Sequence, residues 1–279
     1  MTPERMPTPQ EILAFYVEAG VDCAIGEEPV NRLADEAPAP PPQDMREAPA
    51  AARAERTLPS APALTRSAPA APAVAPPPEA AMMSARDAAR SAQSLDELRA
   101  LLEGFDGCAL KFTASRLVFA DGNPQARLMF VGEAPGRDED IAGLPFVGRS
   151  GQLLDRMLGA IGLDRTKVYI ANIIPWRPPG NRTPTPQETQ ICLPFIRRQI
   201  ELVNPDVLVT LGNPSTQGIL DTKEGIMRTR GRWREYETGT RTIKAMPTFH
   251  PAYLLRSPIY KKHAWQDLRA IKAALGASA

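Results

Sequence analysis

The chain has 279 residues, with 33 Lys+Arg against 32 Asp+Glu, 30 prolines, 3 cysteines and 2 histidines, for a formal net charge of +1. That length holds one ordinary domain plus additional chain, or two small domains, and it excludes a mini-protein stapled by disulfides. No run of about 18 apolar residues marks a membrane span, and Met1-Thr2-Pro3-Glu4-Arg5 lacks the apolar core of a secretory signal, so a cytoplasmic protein with reduced thiols is expected.

Near the N-terminus, Thr8-Pro9-Gln10-Glu11 has the form of a helix start, with a Thr cap, Pro in the first turn and Glu three residues after the cap. Ile12, Leu13, Phe15, Tyr16 and Val17 follow, so residues 1–35 are expected to hold a short helical element that docks on its own protein or binds a protein partner. Residues 36–82 contain 16 Ala and 12 Pro among 47 positions and no aromatic residue. A segment of that composition buries too little apolar surface to offset chain entropy and is expected to be a disordered linker. Charge divides at the same place. Residues 1–82 carry 6 Lys+Arg and 12 Asp+Glu, net −6, which leaves 27 and 20, net +7, for residues 83–279. A near-neutral total thus conceals an acidic tail and a basic domain, and the basic domain suits a polyanionic partner.

Within that domain, Ser94 to Glu97 repeats the capping pattern, and Leu95, Leu98, Leu101, Leu102 and Phe105 mark one helix face. Arg127–Val131, Val168–Ala171, Val207–Leu211 and Ile243–Met246 read as short buried strands, while Gly151–Ile161, Pro186–Val203 and Lys261–Leu275 read as helices. This alternation predicts an α/β fold: a mainly parallel four-stranded sheet covered by helices on both faces, a three-layer α/β/α sandwich. Ligands of such sheets bind in the loops after the carboxyl ends of strands.

Three loops there carry chemistry. The first, Gly132-Glu133-Ala134-Pro135-Gly136-Arg137-Asp138-Glu139-Asp140, runs on through Pro145-Phe146-Val147-Gly148, and its spacing fits neither a dinucleotide fingerprint nor a Walker loop. The second runs from Asn172 through Arg177-Pro178-Pro179-Gly180-Asn181-Arg182-Thr183. A third, Phe249-His250-Pro251-Ala252-Tyr253-Leu254-Leu255-Arg256, places one of the two histidines after a strand. Together these motifs closely resemble those of the type-4 uracil-DNA glycosylases, over approximately Leu98 to Leu275.

The resemblance implies an enzyme that flips uracil out of single- or double-stranded DNA and hydrolyses its N-glycosidic bond. By similarity, Phe146 would stack on the flipped ring, Asn172 would read its Watson–Crick edge beside Ala134, and His250 would stabilise the departing anion. Glu133, Glu139 and Asn181 would position water or support the cationic sugar. A better-known branch of the superfamily has an aspartate where this chain has Ala134, which leaves Glu133 and Asn181 to share water activation. Each residue also has a structural reading: His250 satisfied in the core, Phe146 plain core, Asn181 bracing its loop, Glu139 capping a helix.

Type-4 members usually hold a 4Fe-4S cluster on four cysteines. By the same resemblance Cys108 and Cys192 match two of those ligands, Phe105 and Trp176 stand where the other two would be, and Cys23 has no counterpart. Two thiolates do not hold such a cluster, so no cofactor is expected and an apolar plug should fill the space. For DNA contacts the candidates are Leu255 as a wedge, Arg256 beside it, and Arg228, Arg230 and Arg232 in a basic run. A monomer is expected, with no membrane contact. Two other functions remain open: a glycosylase for hypoxanthine or xanthine, and a protein that binds uracil or abasic sites without turnover.

Overall fold

The computed structural model describes residues 78–277; the element expected over 1–35, Cys23 and the 36–82 segment upstream of Pro78 lie outside the described residues. Four strands run parallel at the centre of the sheet: β2 (Leu128–Gly132), β3 (Tyr169–Asn172), β4 (Val207–Leu211) and β6 (Thr242–Thr248). These are the runs that the sequence marks, and every residue of β2, β3 and β4 is buried. Two edge strands that the sequence reading omitted, β1 (Asp121–Gly122) and β5 (Arg234–Glu237), add antiparallel pairs and make a six-stranded sheet in the order β1-β3-β2-β4-β6-β5. The first is only two residues long, and the second, Arg-Glu-Tyr-Glu, is almost wholly exposed, so neither carries the apolar signal of a buried strand.

Alternation along the central strands sends side chains to two separate cores. Met129, Val131, Tyr169, Ala171 and Leu208 face one, and Leu128, Phe130, Ile170, Val207 and Val209 face the other. Over the first core lie α1 (Pro78–Ser91), α2 (Leu95–Gly104) and α5 (Pro186–Val203). Over the second lie α4 (Arg149–Ala160) and α9 (Lys261–Ala277), completing the three layers. Between them in sequence come α3 (Arg137–Ala142), α6 (Asn213–Leu220), α7 (Ile226–Thr229) and α8 (Pro251–Arg256).

The boundary drawn at residue 83 falls inside α1, whose Ala81, Ala85 and Ala89 are all buried and pack on α5. Alanine and proline dominate the segment before it, but from Pro78 onward the alanines recur at helical spacing and form one buried stripe. Because β2, β3, β4 and β6 are parallel, their carboxyl ends lie at one edge of the sheet, which gathers the loops that begin at Gly132, Asn172, Gly212 and Phe249.

Candidate active site

The loop after β2 is held from inside by one carboxylate. Glu139 is buried on α3 and accepts hydrogen bonds from the backbone N–H groups of Gly136 (3.0 Å), Val147 (3.0 Å) and Gly148 (2.9 Å). The catalytic role expected for Glu139 therefore gives way to bracing, since its oxygens already satisfy three amides of its own loop. Next to it, the buried Asp140 carboxylate accepts from the backbone N–H groups of Ser115 (2.8 Å) and Arg116 (3.2 Å). The result is a loop with fixed walls.

Phe146 sits on that loop at φ +55°, in the left-handed region that a bulky side chain seldom adopts. Arg165 holds it there, donating to the carbonyls of Pro145 (3.1 Å) and Phe146, with Asp121 (2.6 Å) and Asp155 (2.7 Å) pairing the guanidinium. Gly151 lets α4 come against the same carbonyl, because a Cβ at that position would lie 1.6 Å from the Phe146 oxygen. Gly132 is needed likewise: a Cβ there would lie 2.4 Å from Asn172 Oδ1 and 2.7 Å from Phe146 Cζ.

Asn172 ends β3 with only 5% of its surface exposed, and its Oδ1 has no hydrogen-bond partner among the described residues. A buried acceptor left unpaired costs roughly 1–3 kcal/mol. Such a group on a cavity wall is suited to a ligand N–H. The cavity, about 380 Å³, is lined by Glu133, Ala134, Phe146, Asn172, Asn181 and His250, with Arg256 at its margin. Every residue predicted for catalysis or base recognition is thus brought together, Glu139 included, though that side chain faces its own loop.

His250 caps α8, and its Nδ1 accepts the backbone N–H of Ala252 at 3.1 Å. The lone pair on Nδ1 being engaged, the neutral ring carries its proton on Nε2. Burial, aided by the positive Arg256, pulls its pKa from 6.5 down to about 4. Its ring lies 5.4 Å from that of Phe146, tilted by 31°. Glu133, half-buried at the end of β2, has its carboxyl pushed above the ordinary value by the same loss of water. Asn181, at φ +55°, accepts from Arg177 Nε at 2.7 Å through its Oδ1.

A sequence model of the uracil DNA glycosylase superfamily matches residues 119–269. The chain belongs to the uracil DNA glycosylase superfamily. A protein of Thermotoga maritima named type-4 uracil-DNA glycosylase is 45% identical to it over 151 residues, 54% of this chain and 77% of the relative. A second of that name, from Archaeoglobus fulgidus, is 39% identical over 183 residues, 64% of this chain and 92% of the relative. A third, from Saccharolobus solfataricus, is 40% identical over 173 residues, 60% and 80% of the two chains.

For a member of a DNA glycosylase superfamily, the surface beside the cavity matters as much as the cavity. Leu255, 39% exposed, and the exposed Arg256 end α8, the short helix that His250 caps at its start. Arg228 and Arg232 are exposed, Arg228 on α7. Arg230 departs from its expected DNA role. Its guanidinium pairs with the buried Asp267 of α9, donates to the His263 carbonyl (2.8 Å) and lies 5.6 Å over the Phe249 ring. Thr248, the last residue of β6, donates to the same Asp267 at 2.6 Å, so Arg230 helps anchor the strand that leads into His250.

The cluster that resemblance to the type-4 branch implies can be tested against the residues present. Cys108 and Cys192 are both fully buried, with their sulfurs 3.9 Å apart. The hydrogen bond that Cys192 makes to Cys108, together with burial, raises its thiol well above the ordinary range. Phe105 and Trp176 are buried in the same apolar cluster, and the Phe105 ring packs edge-on against Phe195 at 5.0 Å. Two thiols, with phenylalanine and tryptophan at the other two ligand positions, do not fit a 4Fe-4S cluster, which takes four thiolates. Among the described residues no group of three or more His, Cys, Asp or Glu side chains is placed to hold a metal ion.

Two residues important to the site, Asp140 and Arg177, escaped the sequence reading. Arg177 stands four positions before Asn181 in a proline-rich loop, a spacing that was available as a signal. Asp140 was not legible, because its partners lie 24 and 25 positions upstream.

Proposed function

We propose that this protein removes uracil from DNA by flipping the nucleotide into the cavity and hydrolysing its N-glycosidic bond, which leaves an abasic site for base-excision repair. The observation that carries the reading is the buried, unpartnered Asn172 Oδ1 on the wall that Phe146 and His250 share. Uracil presents N3–H as a donor and O4 as an acceptor, so Oδ1 receives the first and Nδ2 donates to the second. Cytosine reverses that order at both positions and would leave two buried polar groups opposed, the kind of mismatch that gives strong discrimination.

Once the base is stacked on Phe146, the C1′–N1 bond breaks toward the base and its electrons collect on the uracil O2. His250 meets that charge as a neutral donor through Nε2–H; a donor of this kind is worth roughly 10²–10³ in rate. A water attacks C1′ and gives its proton to Glu133, whose raised pKa brings a carboxylate closer to the neutral range in which a general base works well. Replacing Glu133 by Gln should slow single-turnover uracil release greatly while DNA affinity stays near the parent's; an unchanged release rate would remove Glu133 from this role.

Arg256, which lines the cavity, and its exposed neighbour Leu255 supply a phosphate contact and a wedge for the vacated stack. The domain works without a metal cluster, with Phe105 and Trp176 buried in the same apolar core as the two thiols. It acts as a monomer on DNA. No helix of the described residues is long and apolar enough to cross a membrane.

A further inference from the structure

We infer that Arg177 is a positioning residue that fixes which end of the Asn181 amide faces the cavity, an inference that rests on the reading of Asn181 as a site residue. Arginine offers only donors, so the 2.7 Å contact from Arg177 Nε determines that Asn181 turns Oδ1 toward it and leaves Nδ2 as the free end. The orientation of this amide is thereby set by its partner's chemistry. Asn181 lines the cavity at φ +55°, directly after Gly180 at φ +63°, in a one-turn 3-10 segment that closes with Asn181 N–H donating to Pro178 O at 3.1 Å. The bond from Arg177 is what fixes its side-chain torsion.

The same guanidinium ties two loops together. Arg177 Nη1 lies 3.9 Å from Asp140 Oδ2, and the other oxygen of that buried carboxylate is held by the backbone of Ser115 and Arg116. Asp140 is on α3, next to the Glu139 that braces the Glu133 loop. Arg177 therefore sets the second loop against the first, and with them the Asn181 amide against the Glu133 carboxylate. A water between the two accepts from Nδ2 and donates to Glu133, which leaves its remaining lone pair to be aimed at C1′. Nearness alone would leave that direction unspecified.

The experiment is a double-mutant cycle on the full chain, with single-turnover release from a uracil-containing oligonucleotide at saturating enzyme, and DNA affinity measured in parallel. Arg177→Met is expected to slow release about tenfold or more, the rate equivalent of one lost hydrogen bond to a charged group, with affinity within about twofold of the parent. In an Asn181→Ala background the same change is expected to add nothing. Arg177→Lys keeps the positive charge opposite Asp140 and serves should the Met variant melt early; its smaller loss must vanish in the Asn181→Ala background too. Losses that multiply across the cycle overturn the inference and leave the role of Asn181 standing, as does an affinity loss as large as the rate loss. An Asn181→Ala enzyme that releases uracil at the parental rate overturns both.

Discussion

Gly132→Ala puts a methyl group where the base pocket has no room for one. The new Cβ would stand 2.4 Å from Asn172 Oδ1 and 2.7 and 2.9 Å from two Phe146 ring carbons, whereas ordinary contact begins near 3.4 Å. Clearing it requires the neighbours to move by roughly 0.5–1 Å. Phe146 has few ways to yield: its backbone is held at φ +55° by Arg165 and pressed by Gly151 from behind. Asn172 moves instead and loses its alignment. Overpacking of this kind costs about 1–3 kcal/mol, a fall of about 2–12 °C in Tm for a domain of this size. Loss of aligned hydrogen bonds to the base edge removes about another 1–3 kcal/mol of transition-state binding, or about fivefold to 150-fold in kcat/KM. Thermal unfolding read alongside single-turnover release separates the two effects. A variant that melts several degrees lower yet releases uracil at the parental rate would refute the placement of Asn172 and Phe146 at the base.

Further consequences concern protons, charges and metal. His250 is neutral in the folded protein down to about pH 4, whereas it protonates near 6.5 once unfolded. Between those values the unfolded chain binds the extra proton, so stability rises with pH across the window, by up to roughly 3 kcal/mol. Denaturation at pH 4.5 and 7 should show that slope in the parent and a flatter one in His250→Asn. Glu133 works ionised and its pKa is raised, so release should fall on acidification from above the ordinary 4.5; a Glu133→Gln pH profile that retains this acid limb would assign it elsewhere. Arg230→Ala strips the buried Asp267 of its pair and should lower stability by about 3–5 kcal/mol, with little change in the salt dependence of DNA binding. Arg256→Ala should do the reverse, reducing the salt slope by about 1 at nearly parental Tm. Purified protein should lack the broad absorbance of a cluster near 400 nm; iron close to four per chain would contradict the packing around Cys108 and Cys192.

Much of the fold was legible because burial on both faces writes itself as uninterrupted apolar runs, and β2, β3 and β4 are such runs. What escaped lacks that signature. The edge strand β5 presents charges to water, and α3 and α8 span six residues each, too short for helical periodicity to register. Composition misled at α1, where the alanines that make a linker inert also make a helix stripe. At the site, Glu133, Asn172, Asn181 and His250, the residues that the family resemblance marks, come to one cavity because strand ends in a parallel sheet share one edge. Charged residues were less readable, because a charge in sequence does not disclose its partner: Glu139 serves its own loop, and Arg230 pairs with a residue 37 positions away.

The most direct test of the account is base release itself. The purified protein is incubated with labelled oligonucleotides carrying uracil, hypoxanthine or xanthine, single- and double-stranded, and abasic sites are then cleaved with alkali. Strand scission at uracil, lost in Asn172→Ala, is the predicted result. Scission at hypoxanthine or xanthine with none at uracil, or binding to uracil DNA without any scission, would contradict it.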